Sequence, residues 1–127
     1  MPKPYEGGCL CGAIRFSAIG PAENPHSCSC EMCRRHSGAP STAWVEFPAS
    51  SVTWTGPGGA PALYRSSEIS SRSFCPTCGS SIGAVDDAPV VAFLVGAFDK
   101  PGAKAFTPTS HSFRTGCPGW WKGALGG

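Results

Sequence analysis

The sequence predicts an all-β fold in a single domain, on three observations. Glycine (17 residues) and proline (13) punctuate all 127 residues, no apolar repeat is sustained at helical spacing, and several short runs alternate apolar with polar side chains. A chain of this length buries roughly two-thirds of its unfolded surface, enough for one core. No internal repeat, linker or composition shift divides it, so residues 1–127 read as one unit.

Taken in order, Ala13-Ile-Arg-Phe-Ser alternates as a half-buried strand does, and Ala43-Trp-Val-Glu-Phe does so less cleanly until Pro48. Between them, Glu31-Met-Cys-Arg-Arg-His-Ser-Gly allows about one helical turn, ended by Gly38 with Pro40 beyond. Ser51-Val-Thr-Trp-Thr alternates again, and Gly56-Pro-Gly-Gly-Ala-Pro turns the chain into a short run at Ala62-Leu-Tyr-Arg. These strands are expected to form a meander. Ser71-Arg-Ser-Phe enters, and Ser80-Ser-Ile-Gly-Ala leaves, a hairpin-like knuckle around Cys75 and Cys78. Pro89 to Phe98 is the most apolar run, rich in β-branched and aromatic residues, and is predicted to be a central buried strand. Residues 121–127 are expected to fray.

Charge narrows the partners. Charged residues make up 14% of the chain and the net charge is +2, so there is no broad basic field to bind nucleic acid phosphates. The longest apolar run, Val90-Val-Ala-Phe-Leu-Val, is interrupted by Gly96 and Asp99 and is too short to span a bilayer. Met1-Pro-Lys-Pro-Tyr-Glu-Gly-Gly holds no apolar run of the signal-peptide kind, so a cytoplasmic location is expected.

Seven of the eight cysteines fall in tight clusters: Cys9-x-Cys11, Cys28-x-Cys30-x-x-Cys33 and Cys75-x-x-Cys78. A disulfide framework is the alternative for a small cysteine-rich chain. Cysteines one residue apart are badly placed to bridge each other, however, whereas short chelating pairs are what thiolate metal binding requires. Two ions are expected. Four thiolates from two clusters close one tetrahedron, and the remaining three leave a second zinc with a vacant position, where its chemistry happens.

Gly8-Cys9-Leu-Cys11-Gly12, Cys28-Ser-Cys30-Glu-Met-Cys33-Arg34-Arg35-His36-Ser-Gly38 and Phe74-Cys75-Pro-Thr-Cys78-Gly79-Ser80 together resemble the glutathione-dependent formaldehyde-activating enzyme family. The resemblance extends to Val95-Gly96-Ala-Phe-Asp99, to His111-Ser-Phe113 and to Trp120, so it covers nearly the whole chain. It implies a cytosolic β-tent domain stapled by zinc, with two zinc ions per chain. It also implies a carbon–sulfur lyase-type activity, the addition of glutathione to formaldehyde to give S-hydroxymethylglutathione. Centromere protein V belongs to the same family, which keeps open a second function: a non-catalytic, zinc-stabilised protein-binding module.

Carried over by position, the resemblance makes Cys9, Cys11, Cys75 and Cys78 a closed structural zinc site and Cys28, Cys30 and Cys33 the catalytic one. The alternative for the triplet is a fourth protein ligand, either His36 three residues beyond Cys33 or the solitary Cys117. Where relatives commonly carry a histidine between the first two cysteines of the triplet, this chain has Ser29. Arg34 and Arg35, beside the triplet, are candidates for gripping the carboxylates of glutathione, against a reading as solvated surface charges. His111 and Trp120 are pocket candidates, against ordinary structural roles, and His26 has no assigned role.

Overall fold

The computed structural model describes residues 3–121. Each predicted strand is present, the most apolar one ending at Leu94, where Val95–Ala97 turn into a short 3-10 helix. β1 (Tyr5–Gly8), β2 (Arg15–Ala18) and β5 (Val52–Trp54) form a three-stranded antiparallel sheet in the order β1-β2-β5. The second sheet has seven strands: β3 (Glu23–Cys28), β4 (Thr42–Pro48), β6 (Ala62–Arg65), β7 (Ser70–Phe74), β8 (Ser81–Asp86), β9 (Val90–Leu94) and β10 (His111–Ser112). Their order is β10-β3-β4-β9-β8-β7-β6, antiparallel throughout except for the short parallel pairing of β10 with β3. The one α-helix among the described residues is α1 (Glu31–Ser37).

The fold is therefore all-β, as expected, but the meander is not formed. β2 and β5 pair with each other, β4 enters the other sheet, and β6 lies at that sheet's far edge. Alternation tells that a strand has one buried and one exposed face; it does not say which strand lies beside it. The frayed end expected from residue 121 falls almost wholly at 122–127, outside the described residues.

The core lies between the two sheets and is largely aromatic. Phe16 of β2 stacks on Phe93 of β9 with centroids 4.0 Å apart, and Phe98 meets both rings edge-on. Tyr5, Phe47 and Phe106 extend the cluster. Such offset and edge-to-face pairs add to the burial of ring area. Arg15 and Asp99 close one side of this seam with paired contacts of 2.8 and 2.6 Å.

β9 reads as a continuous apolar run because both its faces are covered. Val91 and Phe93 belong to the main core, while Ala92 and Leu94 join Trp44, Ala84, Cys28 and Cys33 in a second cluster on the sheet's other face. That outer face carries the triplet. α1 sits against it through Cys33, its one buried residue. The helix stops as the sequence predicts: Gly38 takes the left-handed conformation (φ 73°) and its N–H bonds the carbonyl of Arg34 at 2.7 Å.

Candidate metal centres and the adjoining cleft

The first sulfur cluster joins the two sheets. Cys9 and Cys11 lie in the turn between β1 and β2, Cys75 and Cys78 in the turn between β7 and β8, and all four Sγ atoms lie within 4.8 Å of one another. Cys9 and Cys11 sulfurs are 3.6 Å apart, and Cys11 and Cys75 sulfurs 3.8 Å. A tetrahedron of sulfurs ~2.3 Å from a central zinc has edges of about 3.8 Å, which these two edges match. Backbone N–H groups point at its sulfurs: Ile14 donates to Cys9 at 3.2 Å, Thr77 and Cys78 to Cys75 at 3.4 Å. Ser80 couples the two turns, accepting from the Leu10 N–H at 3.0 Å while its hydroxyl lies 3.1 Å from the Cys78 sulfur.

Within the cage the thiol acidities are driven apart. The Ser80 hydroxyl, with nearby backbone groups, pulls Cys78 down to about 5. Although the Ala13 backbone favours the Cys11 thiolate, burial and the three neighbouring sulfurs push Cys11 up to about 11. Four adjacent thiolates repel one another, and a divalent ion is what lets all four ionise together.

The triplet is built where β3 gives way to α1. Cys28 ends the strand, Cys30 caps the helix with its sulfur accepting the Cys33 N–H at 3.2 Å, and Cys33 lies in the first turn. The three Sγ atoms lie within 4.8 Å of one another, and no fourth His, Cys, Asp or Glu atom among the described residues completes the group. Burial, with the neighbouring sulfurs, pushes Cys28 up to about 12. Burial also raises Cys30, but the Cys33 N–H, the adjacent sulfurs and the Arg72 charge outweigh it and leave Cys30 below its ordinary value. The donor set again fits a thiophilic cation.

Neither alternative fourth ligand joins the three sulfurs. His36 lies with Cys9, Leu10 and Ser80 around a separate cavity of about 810 Å³. A contact of its ring with the Ser73 backbone falls short of hydrogen-bond geometry, and burial together with the Arg72 charge holds the imidazole below its ordinary value. Cys117 follows the turn Arg114–Gly116 and is absent from the group.

A cleft of about 340 Å³ opens beside the triplet on the outer face of the large sheet. Cross-strand register lays out its floor: Glu46 faces Ala92, Ala92 faces Ala84, and Ala84 faces Arg72. Two alanines thus leave a hollow between an acidic and a basic side chain. Arg72 reaches the triplet, its two terminal nitrogens 3.6 and 3.7 Å from the Cys33 sulfur, and its guanidinium lies 5.2 Å from the Trp44 ring centroid. Phe113 lines the same cleft with φ 54°, a backbone conformation that bulky residues rarely adopt, and 69% of its surface is exposed.

Several sequence candidates lie elsewhere. Arg34 donates from Nε to the Ser29 carbonyl at 3.2 Å, Arg35 pairs with Glu31 at 2.9 Å on the exposed side of the helix, and neither lines the cleft. His111 is held behind the triplet loop, its Nε2 2.7 Å from the Ser29 hydroxyl and 3.3 Å from that of Ser41. Trp120 is 72% exposed and stands edge-on to Trp121, away from the cleft. His26 does line it, with Nδ1 2.7 Å from the Asn24 carbonyl. Arg72 is the residue that sequence reasoning missed. Its one signal is the alternation of Ser71-Arg-Ser-Phe, which puts Arg72 opposite in face to Ser71 and Ser73 but does not reveal what lies across that face.

A two-sheet fold with one four-sulfur and one three-sulfur cluster defines a class of cysteine-rich proteins suited to hold metal at two points. The profile of the family described as glutathione-dependent formaldehyde-activating enzyme matches residues 4–116, and the chain belongs to that family. A Schizosaccharomyces pombe protein named as an uncharacterized lyase is 37% identical over 82 residues, 65% of this chain and 57% of that protein. A Halomonas elongata protein provisionally named as a glutathione-dependent formaldehyde-activating enzyme is 30% identical over 88 residues, 64% of this chain and 55% of that protein. The matches thus span little more than half of either relative. A Rhodobacter sphaeroides protein of known crystal structure shares the fold, with a TM-score of 0.63 at 19% identity, over 84% of this chain and 99% of its own. No helix among the described residues is long and apolar enough to cross a membrane.

Proposed function

We propose that this chain is a zinc-dependent enzyme of the carbon–sulfur lyase type, adding a small thiol, glutathione in the first instance, to formaldehyde or a related aldehyde. The observation that carries this reading is a three-sulfur cluster, with no fourth protein ligand among the described residues, opening onto a cleft. Cys9, Cys11, Cys75 and Cys78 would hold a structural zinc, and Cys28, Cys30 and Cys33 a second. Zinc at the triplet would supply Lewis acidity that keeps an incoming sulfur deprotonated at neutral pH.

In the reaction the thiol sulfur forms a C–S bond to the aldehyde carbon, the C=O π pair moves to oxygen, and oxygen takes up the proton the thiol gave up. Nothing is oxidised or reduced. The chain's own part is to gather the two reactants, since the alanine floor leaves space beside the sulfurs and proximity supplies much of the acceleration for such an addition. A cytoplasmic location, where glutathione keeps thiols reduced, belongs to the same reading.

The names carried by the family and by the Halomonas elongata relative support glutathione and formaldehyde as the first pair to test. Exchange spectroscopy by NMR on mixtures of the two should show hydroxymethyl thioether forming faster with the protein than in buffer, and Cys33→Ser should remove the gain. A rate equal to that in buffer would reject the enzyme and leave the zinc-stabilised binding module.

A further inference from the structure

We infer that Arg72 is the residue that admits an anionic sulfur to the triplet, offsetting the charge that the cleft otherwise turns against an anion. The inference rests on the proposed function and concerns the class of ligand its open position selects. Three thiolates around a divalent cation leave a net negative charge, and a fourth thiolate makes it larger. The cleft adds the carboxylates of Glu46 and Asp86, each already oriented by one hydrogen bond of 2.7 Å, from Asn24 Nδ2 and from the Ser70 hydroxyl. Arg72 is the one lysine or arginine among the described lining residues.

Its placement is fixed rather than incidental. Register against Ala84 plants it on the cleft floor, the Trp44 ring supports the guanidinium, and both terminal nitrogens face the Cys33 sulfur. A planar fork held in this way stabilises negative charge on sulfur without having to reorganise when a ligand arrives. A neutral ligand at the same position would gain nothing from it.

Cobalt-substituted protein, whose visible spectrum reports the coordination of the triplet, separates the two ligand classes when titrated with glutathione and, in parallel, with imidazole. For Arg72→Gln, the glutathione Kd should rise at least about tenfold, roughly 1.4 kcal/mol, while imidazole binding stays unchanged. Arg72→Lys should recover most of the loss. Trp44→Phe provides a second route should Arg72→Gln fail to fold: the smaller ring supports the guanidinium less well, so glutathione should weaken about two- to fivefold and imidazole not at all. Equal weakening of both ligands, or no change in either, would overturn the role of Arg72 while leaving the open site standing. A wild-type spectrum that responds to neither ligand would overturn the open site and this inference with it.

Discussion

Ser29 is fully buried, with its hydroxyl on His111 and its carbonyl on Arg34 Nε, so it faces the protein rather than the cleft. The departure at this position is plain in the sequence; its direction is not, because only the fold puts residue 111 beside residue 29. Ser29→Ala leaves the His111 nitrogen with one hydroxyl instead of two and should cost about 1–2 kcal/mol in urea unfolding while both metals stay bound. His36 offers a pH test. Burial and the Arg72 charge hold its imidazole below the ordinary 6.5. The unfolded chain therefore binds the proton first, and stability is lost as pH falls below about 6.5 toward the folded value. His36→Leu should flatten the fall in urea midpoint between pH 7.5 and 5.5, since metal release in acid is common to both proteins; an unchanged slope would contradict the assignment.

Strands that alternate or run apolar were legible as strands, and the β9 segment was legible as central, because side-chain period is written directly into the residues. β1, β3 and β10 were not. β3 contains Pro25, and Asn24 sits at φ 49° beside a register shift, so its strand character comes from its neighbour β4 rather than from its own pattern. β10 is two residues long, yet the segment around it holds the triplet loop, with Ser27 N–H bonded to the Ser110 carbonyl at 2.9 Å and Ser29 N–H to the Ser112 carbonyl at 3.0 Å. Gly116 closes this clasp: a Cβ there would stand 2.3 Å from the Ser29 carbonyl oxygen. Gly116→Ala should therefore cost about 1–3 kcal/mol through overpacking and loosen the triplet selectively. Metal analysis should find the second site depleted and the first retained; equal retention would show that the clasp does not shape the triplet.

At the scale of the molecule, the sulfur spacings announced two clusters, and the fold explains why they differ in kind. The first draws its sulfurs from turns in both sheets and so ties one sheet to the other across the aromatic core. The second draws all three from one short stretch at the edge of the outer face and ties nothing distant. The structural zinc proposed for the first site would contribute on the order of 10–16 kcal/mol, as much as a domain's whole stability of about 5–15 kcal/mol. Cys75→Ser, or chelation at the first site, should therefore unfold the protein, seen as loss of the β-sheet circular dichroism signal. Cys33→Ser should keep that signal and lose one metal ion.

Zinc-edge X-ray absorption of the two-metal protein, before and after glutathione, tests the central claim most directly. Seven protein sulfurs shared by two ions, rising to eight when the thiol is added, is the predicted result. A sulfur count that does not change on saturation with thiol, or that already stands at eight without it, would contradict an open position at Cys28, Cys30 and Cys33.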